Sequence, residues 1–246
     1  MNCFLHGVAR AVAETFDLPE PIVEIGSYQV PGQERLADLR SLFPGKEYLG
    51  IDARRGPGVD QVADVQELPF ADDSVGTVIA MSTFEHVPRF WRGFEEVRRV
   101  LRPDGAFLVA VPFYFYIHSY PGDYWRFTPQ ALELLLDGYP SRLTGWHGPP
   151  KRPANVWALA LGEAAAPIRG EQFDQYRERL RLYARQPQKW GRKLRYGLAR
   201  LLCGRGPFAP YLDQENWETQ CQTVVSRRMR VSTPSRAPFS PGTPTA

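Results

Sequence analysis

The sequence predicts an α/β protein with a mostly parallel sheet and helices on both faces, and three observations carry that prediction. Short apolar runs of strand length alternate with segments of helical period, the pattern of parallel strands joined by helical crossovers. The first run, Pro21 to Ser27, breaks at Glu24 and Gly26, as a buried strand does when it opens a ligand crevice at the carboxyl edge of a parallel sheet. Near residue 150 the pattern changes. Ser141 to Trp146 and Asn155 to Leu161 flank the turn Gly148-Pro149-Pro150, a link suited to antiparallel neighbours at one edge of the sheet.

The elements follow in order. Phe4, Val8, Val12 and Phe16 recur every four residues and place one apolar stripe on a helix that ends before Pro19 and Pro21. Strand 1 covers about 21 to 25. A loop through Pro31-Gly32 leads to a helix with Leu36, Leu39 and Leu42 on its apolar face, stopped by Pro44-Gly45. Glu47 to Asp52 reads as strand 2, Val59 to Ala63 as a short strand 3, and Val75 to Met81 as strand 4, introduced by the turn residues Asp72-Asp73-Ser74. Phe90, Phe94, Val97 and Leu101 share a helical face, and Arg102-Pro103-Asp104-Gly105 ends that helix before a strand at Ala106 to Val111. Thr128-Pro129 is an N-cap with proline at the first helical position.

With 246 residues, 43% of them hydrophobic and 23% charged, the chain has enough apolar material for one sizeable core plus an appendage. Nothing approaches the roughly 20 apolar residues of a membrane span, and the N-terminus lacks a signal-peptide pattern, so a cytoplasmic protein is expected. Cys3, Cys203 and Cys221 are far apart and form no CxxC, which argues for free thiols rather than a zinc site or disulfides. Charge is uneven. Residues 1–165 carry 15 Lys and Arg against 21 Asp and Glu, whereas residues 166–246 carry 15 against 6. The expected division is a domain over 1–165, a basic and mainly helical extension over 166–230, with Phe173, Tyr176, Leu180 and Tyr183 as its buried face, and a disordered Pro/Ser/Thr-rich tail over 231–246. The basic extension is expected to present a solvated face that packs partly on the acidic domain. Oligomeric state is not legible.

A strand, a glycine loop and a later strand ending in an acid invite a dinucleotide reading. Tyr28 and Val30 oppose it, because side chains there occupy the space a pyrophosphate needs. Carboxylates at Glu24 and Asp52 instead favour a cationic, phosphate-free nucleoside, for which S-adenosylmethionine, with its sulfonium, ammonium and ribose diol, is the fitting candidate.

Five motifs in register resemble the class I S-adenosylmethionine-dependent methyltransferases, in the group of small bacterial-type enzymes with a lone methyltransferase domain. They are Val23-Glu24-Ile25-Gly26-Ser27, Tyr48-Leu49-Gly50-Ile51-Asp52, Ala63-Asp64-Val65 with Leu68-Pro69-Phe70 downstream, Phe84-Glu85-His86-Val87, and Val100-Leu101-Arg102-Pro103-Asp104-Gly105. The resemblance implies a Rossmann-like, seven-stranded sheet with S-adenosyl-L-methionine as cofactor. It implies that Glu24, Gly26 and Ser27 form the methionine pocket, that Asp52 binds the ribose with Ile51 and Ala53 on the adenine faces, and that Asp64 and Val65 read the adenine edge. Met81 and Ser82 would lie beneath the methionine. The chain departs from the family's usual pattern at Tyr28 and Val30, where further glycines are common, and at Gly76, where an acid is common.

Methyl transfer from a sulfonium is an in-line displacement that depends on alignment and exclusion of water, with a base where the acceptor is a hydroxyl. Two segments lead to the expected acceptor position, Ser82 to Pro88 and Phe113 to Phe127. Eight of the 15 residues in the second are aromatic, enough to shut out water and stack on a ring, or alternatively to form a lid on the C-terminal helices. His118 and His86 are the candidate bases. Tyr116, Tyr120, Asp123, Tyr124, Trp125 and Arg126 are the candidate acceptor-binding residues. The string Asp123 to Pro129 resembles one in methyltransferases of this group, some associated with polysaccharide or cell-envelope biosynthesis, which implies a small-molecule or glycan acceptor. Two rival functions remain at this level: a binding or scaffold protein that keeps the fold, and a nucleic-acid methyltransferase drawn to the basic C-terminus. The absence of an Asn/Asp-Pro-Pro-Tyr/Phe motif after strand 4 argues against nucleic acid.

Overall fold

A computed structural model describes residues 1–118, 122–184, 190–203 and 216–223. The expected tail at 231–246 lies outside them, as does Tyr120. Among the described residues, alternating helices and strands form one eight-stranded sheet in the order β3-β2-β1-β4-β5-β7-β6-β8. The strands are β1 (Ile22–Ile25), β2 (Tyr48–Asp52), β3 (Gln61–Val62), β4 (Val75–Met81), β5 (Leu101–Pro112), β6 (Ser141–His147), β7 (Asn155–Leu161) and β8 (Trp217–Thr223). The first five run parallel in the sheet, β7 lies antiparallel between β5 and β6, and β8 pairs antiparallel with β6.

Period-two alternation sorts the strand residues onto two faces. Val78, Ala80, Phe107 and Val109 face one core, closed by α3 (Phe90–Val100) and α4 (Pro129–Leu135) through Phe94, Val97 and Leu132. Ile79, Met81, Leu108 and Ala110 face the other, closed by α1 (Cys3–Thr15) and α5 (Gly170–Tyr183) through Leu5, Val8, Val12, Tyr176 and Leu180.

The expected elements hold in type, with three differences, one of them the start of β5, which takes in Leu101 to Gly105 where the end of the preceding helix was expected. The helix anticipated between Leu36 and Phe43 breaks into α2 (Glu34–Ala37) and a single 3₁₀ turn (Arg40–Leu42). Asp38 leaves helical geometry there, and the Ser41 hydroxyl donates to the Asp38 carbonyl, a local bond that competes with a continuous helix. Leu39 and Phe43 still reach the core, so the apolar spacing survives without the helix.

The second difference is the eighth strand. The sheet has one strand more than expected, supplied by the C-terminal region, so β6 is interior and β8 is the edge. Of the four residues expected to form the buried face of α5, Tyr176 and Leu180 are buried and Phe173 and Tyr183 partly so. Full burial of Tyr176 and Leu180 is worth roughly 1.5–3 kcal/mol each, whereas half-exposed ion pairs such as Arg179 with Glu14 contribute about 0–1 kcal/mol. Tyr176 also accepts from the Trp157 indole at 2.8 Å. Gly7 lets the helices close up, since a Cβ there would stand 2.9 Å from the Tyr183 backbone. Apolar packing, with charge as garnish, places α5 on α1. The other helix of the extension, α6 (Trp190–Cys203), exposes Trp190, Leu194, Leu198, Leu201 and Leu202.

Candidate functional site

The carboxyl ends of β1, β2 and β4 open into one cavity of about 800 Å³, within the roughly 300–1,000 Å³ of small-molecule sites. Register explains the grouping: Glu24 pairs with Gly50 and with Ile79, so the three strands stop at nearly one level. Beyond β1 the chain turns sharply at Gly26, whose φ of 83° is left-handed and whose added Cβ would lie 2.2 Å from the Thr83 Oγ1. Thr83 itself donates to the Ile25 carbonyl at 3.0 Å, tying the end of β1 to the end of β4. Ser82, the residue after β4, takes a φ of 59° and is held by its backbone N–H, which donates to the Ala110 carbonyl at 2.7 Å. Such a conformation in a non-glycine residue costs on the order of 1–3 kcal/mol and concentrates at functional sites.

Three carboxylates line one half of the cavity. Glu24 is buried and accepts from the Tyr48 hydroxyl at 2.7 Å, and its burial pushes the carboxyl up to about 7. Asp52 is buried at the end of β2, where its Oδ1 accepts from the Arg54 amide at 2.9 Å. Asp64 repeats this geometry, with its Oδ1 accepting from the Gln66 amide at 2.9 Å. Each aspartate thus pins its own turn and still faces the cavity. Ala53, Val65, Met81, Ser82 and Gly26 share the lining, but Ser27 does not: its hydroxyl is buried against Gly50. Tyr28 and Val30 line the cavity too, and the Tyr28 ring lies under the Arg54 guanidinium at 4.4 Å.

The other half is assembled from two loops 36 residues apart. His86, on a 3₁₀ turn (Phe84–His86), contacts the Gly122 carbonyl through Nδ1. His118 lies 3.1 Å from Asp123 through its Nδ1, and its amide donates to the same carboxylate at 2.9 Å. The two imidazoles stand edge to face with centroids 4.9 Å apart. Burial lowers the His86 pKa below the usual imidazole range, so this ring is neutral at pH 7. Glu85, between Phe84 and His86, is 1% exposed, and neither carboxylate oxygen has a hydrogen-bond partner among the described residues. Desolvation pushes it up to about 8.

The acceptor candidates separate into two groups. Tyr116 lines the cavity with His86 and His118, together with Phe115. Asp123 and Arg126 face each other behind His118 in a two-pronged ion pair, one prong of 2.7 Å, which holds the Asp123 carboxyl well below the usual carboxylate range. Trp125 donates its indole N–H to the Val87 carbonyl at 3.0 Å and packs on Phe90 of α3 at 5.0 Å, and Tyr124 is half exposed. The inner rings of this aromatic segment therefore seat on α3, and among the described residues its Phe115–His118 arm is the part that reaches the cavity. Sequence reasoning did not single out Thr83, Asn2 or Gln33, which also line it. The signal for Thr83 was its place two residues after β4.

Residues 34–109 match the family model described as a methyltransferase domain. The matched stretch is less than a third of the chain. It begins after the Gly26 loop, the part of the pattern where Tyr28 and Val30 depart from the family's glycines. Among curated relatives, an uncharacterized methyltransferase of Mycobacterium marinum is 48% identical over 55 residues, covering 22% of each chain. A probable phthiotriol/phenolphthiotriol dimycocerosates methyltransferase 2 of Mycobacterium ulcerans is 46% identical over 55 residues, 22% of this chain and 21% of the relative. The chain thus spans about a fifth of the length of the curated relatives it matches. Among solved structures, the 1,6-didemethyltoxoflavin-N1-methyltransferase of Burkholderia thailandensis aligns with 18% identity and a TM-score of 0.49, over 65% of this chain and 78% of that one.

The cavity's donor set has chemistry suited to S-adenosyl-L-methionine. An acid-lined wall suits a sulfonium, an ammonium and a ribose diol, and it would repel a pyrophosphate. No helix of the described residues is long and apolar enough to cross a membrane.

Proposed function

We propose that this protein transfers the methyl group of S-adenosyl-L-methionine to a small-molecule or glycan-type acceptor. One observation carries the reading: a single cavity joins three strand-end carboxylates to a pair of histidines across the strained turn at Ser82. When bound, the cofactor supplies an electrophilic methyl group on a good leaving group. Glu24 and Gly26 then hold the methionine end, Asp52 the ribose and Asp64 with Val65 the adenine edge. Met81 and Ser82 floor the reacting centre, and Phe115 and Tyr116 shield it from water.

Asp123 fixes the His118 ring through Nδ1, which leaves Nε2 with its lone pair as proton acceptor for a hydroxyl acceptor. His86, anchored by Gly122, is the second candidate. The exposed Tyr116 and Ile117 at the same end suit an acceptor with an apolar face, and the name of the Mycobacterium ulcerans relative adds a lipid to the classes worth assaying.

The test is calorimetry with S-adenosylhomocysteine followed by transfer of labelled methyl to a panel of sugars, phenols and hydroxylated lipids. Binding with transfer to one class supports the reading. Absence of heat and of any thermal shift would leave a scaffold that keeps the fold. Full turnover in both His118→Ala and His86→Ala would remove the histidine base while leaving methyl transfer in place.

A further inference from the structure

Glu85, His86 and His118 each offer one ligand atom, and these atoms lie within 4.8 Å of one another on the lining of the acceptor half. From this cluster we infer that the protein holds a divalent transition-metal ion on these three side chains. Three independent features support the site.

The first is the state of the two rings. His86 is engaged through Nδ1 with the Gly122 carbonyl, and His118 through Nδ1 with Asp123. A ring that donates from Nδ1 keeps its lone pair on Nε2, and metal-bound histidines are oriented in this way by a carbonyl or carboxylate behind them. Asp123 is in turn clamped by Arg126, so the ring it orients is itself held in place.

The second is Glu85. Its side chain is buried with both oxygens unpartnered, a costly arrangement in a folded protein, and its Oε1 is 3.9 Å from the Nε2 of His86. An ion would supply the missing partner. The Glu85 backbone is meanwhile fixed by the arm opposite, since its carbonyl accepts the Tyr124 amide at 2.8 Å. The same two loops therefore position both the carboxylate and the imidazoles.

The third is chemistry. Two imidazoles and one carboxylate are a set for Zn²⁺, Fe²⁺ or Mn²⁺ rather than for Mg²⁺ or Ca²⁺, which prefer all-oxygen surroundings. Bonds of roughly 2.0–2.2 Å place tetrahedral ligands about 3.4 Å apart, so closing the shell asks the three atoms to move by on the order of 1 Å. Because all three side chains line the cavity, an ion held there would be within reach of water or of an acceptor oxygen.

The site stands on its own residues and does not require methyl transfer. The two readings meet in the histidines, because an ion takes the lone pairs that a base would use; a metal-loaded protein has ligands there and no free base.

The experiment uses the full chain stripped with a chelator and titrated with Zn²⁺ alone by calorimetry, and separately with Co²⁺ followed by visible absorption. One ion per chain is expected, with a Co²⁺ spectrum of low coordination number. Glu85→Gln and His118→Gln should each weaken uptake at least tenfold while melting cooperatively without metal. Folded wild-type protein that takes up no stoichiometric ion would overturn the proposal. So would uptake unchanged in the Glu85→Gln, His118→Gln double variant, or uptake lost on Cys3→Ser instead. S-adenosylhomocysteine binding measured on the same samples keeps the two readings apart, since its loss with intact metal uptake removes only the methyltransferase reading.

Discussion

The two halves of the cavity are built by different means. The carboxylate half is made of strand ends: Glu24, Asp52 and Asp64 sit within or just beyond strands whose neighbours fix their level, and each belongs to a contiguous run of a few residues. The histidine half is made of loops that meet only in space, with His86 answering to Gly122, 36 residues later, and Glu85 to Tyr124. A backbone-built half should fail abruptly when its geometry is altered. A loop-built half should lose positioning while the fold and the other half persist.

The sharpest break is expected at Gly26. Gly26→Ala adds a methyl group to a left-handed residue and drives it into Thr83, so both the turn and the β1–β4 tie are lost. S-adenosylhomocysteine affinity should fall more than about 100-fold, on the scale of 3 kcal/mol or more. Adding Thr83→Ala should recover part of it by removing the clash but not the strained φ. An affinity within a few-fold of wild type in Gly26→Ala would show that the Gly26 turn is no part of the ligand site.

Asp52→Asn separates ligand binding from folding in the same half. Asparagine retains the Oδ1 acceptor for the Arg54 amide, so the turn and the melting temperature should survive. The charge-assisted bond to a ribose hydroxyl is lost, at about 1.5–3 kcal/mol or roughly 10–100-fold in affinity. Calorimetry beside a thermal melt checks both. A large drop in melting temperature would mean that Asp52 serves the turn alone.

Asp123→Asn applies the same contrast to the loop half. It removes the charge that pairs with Arg126 and orients His118, in a side chain only 2% exposed. Turnover should fall about tenfold, whereas S-adenosylhomocysteine affinity should stay within about threefold because no cofactor-half residue depends on Asp123. Equal losses in both would show that the halves are coupled.

What was legible in the sequence follows the same divide. Strand ends announce themselves locally, so Glu24, Asp52, Asp64 and Met81 could be placed from runs such as Tyr48 to Asp52 alone. The broken helix at 34–42 was misread because its apolar spacing is helical while Asp38 and Ser41 favour local bonds instead. The strand β8 carried a readable signal in the alternation of Trp217, Thr219 and Cys221 with Glu218 and Gln220, but its partner β6 is more than 70 residues away and nothing local names it. The roles of Asp123, Trp125 and Arg126 were equally non-local: composition showed an aromatic segment, and only packing shows that Trp125 serves α3 while Phe115 and Tyr116 serve the cavity. Glu85 stands at the limit. An acid between Phe84 and His86 suggests nothing about burial until both loops are in place.

The pH response of the carboxylate half is graded rather than abrupt, and it has two opposite signs. Glu24 is held near 7 by burial, well above its unfolded value of about 4.5. Between those values the unfolded chain has released a proton that the folded chain keeps, so the free protein loses stability as pH rises from about 4.5 to 7. A ligand carrying an ammonium prefers the ionised carboxylate, so S-adenosylhomocysteine should bind more tightly over the upper part of the same range. Affinity should rise by up to about tenfold per pH unit below 7 and level off above it. Glu24→Gln should flatten both profiles and make the variant's melting temperature less sensitive to pH. If calorimetry from pH 5.5 to 8 gives a flat affinity in the wild type, Glu24 does not face the cationic end of the ligand, and the carboxylate half would then rest on Asp52 and Asp64.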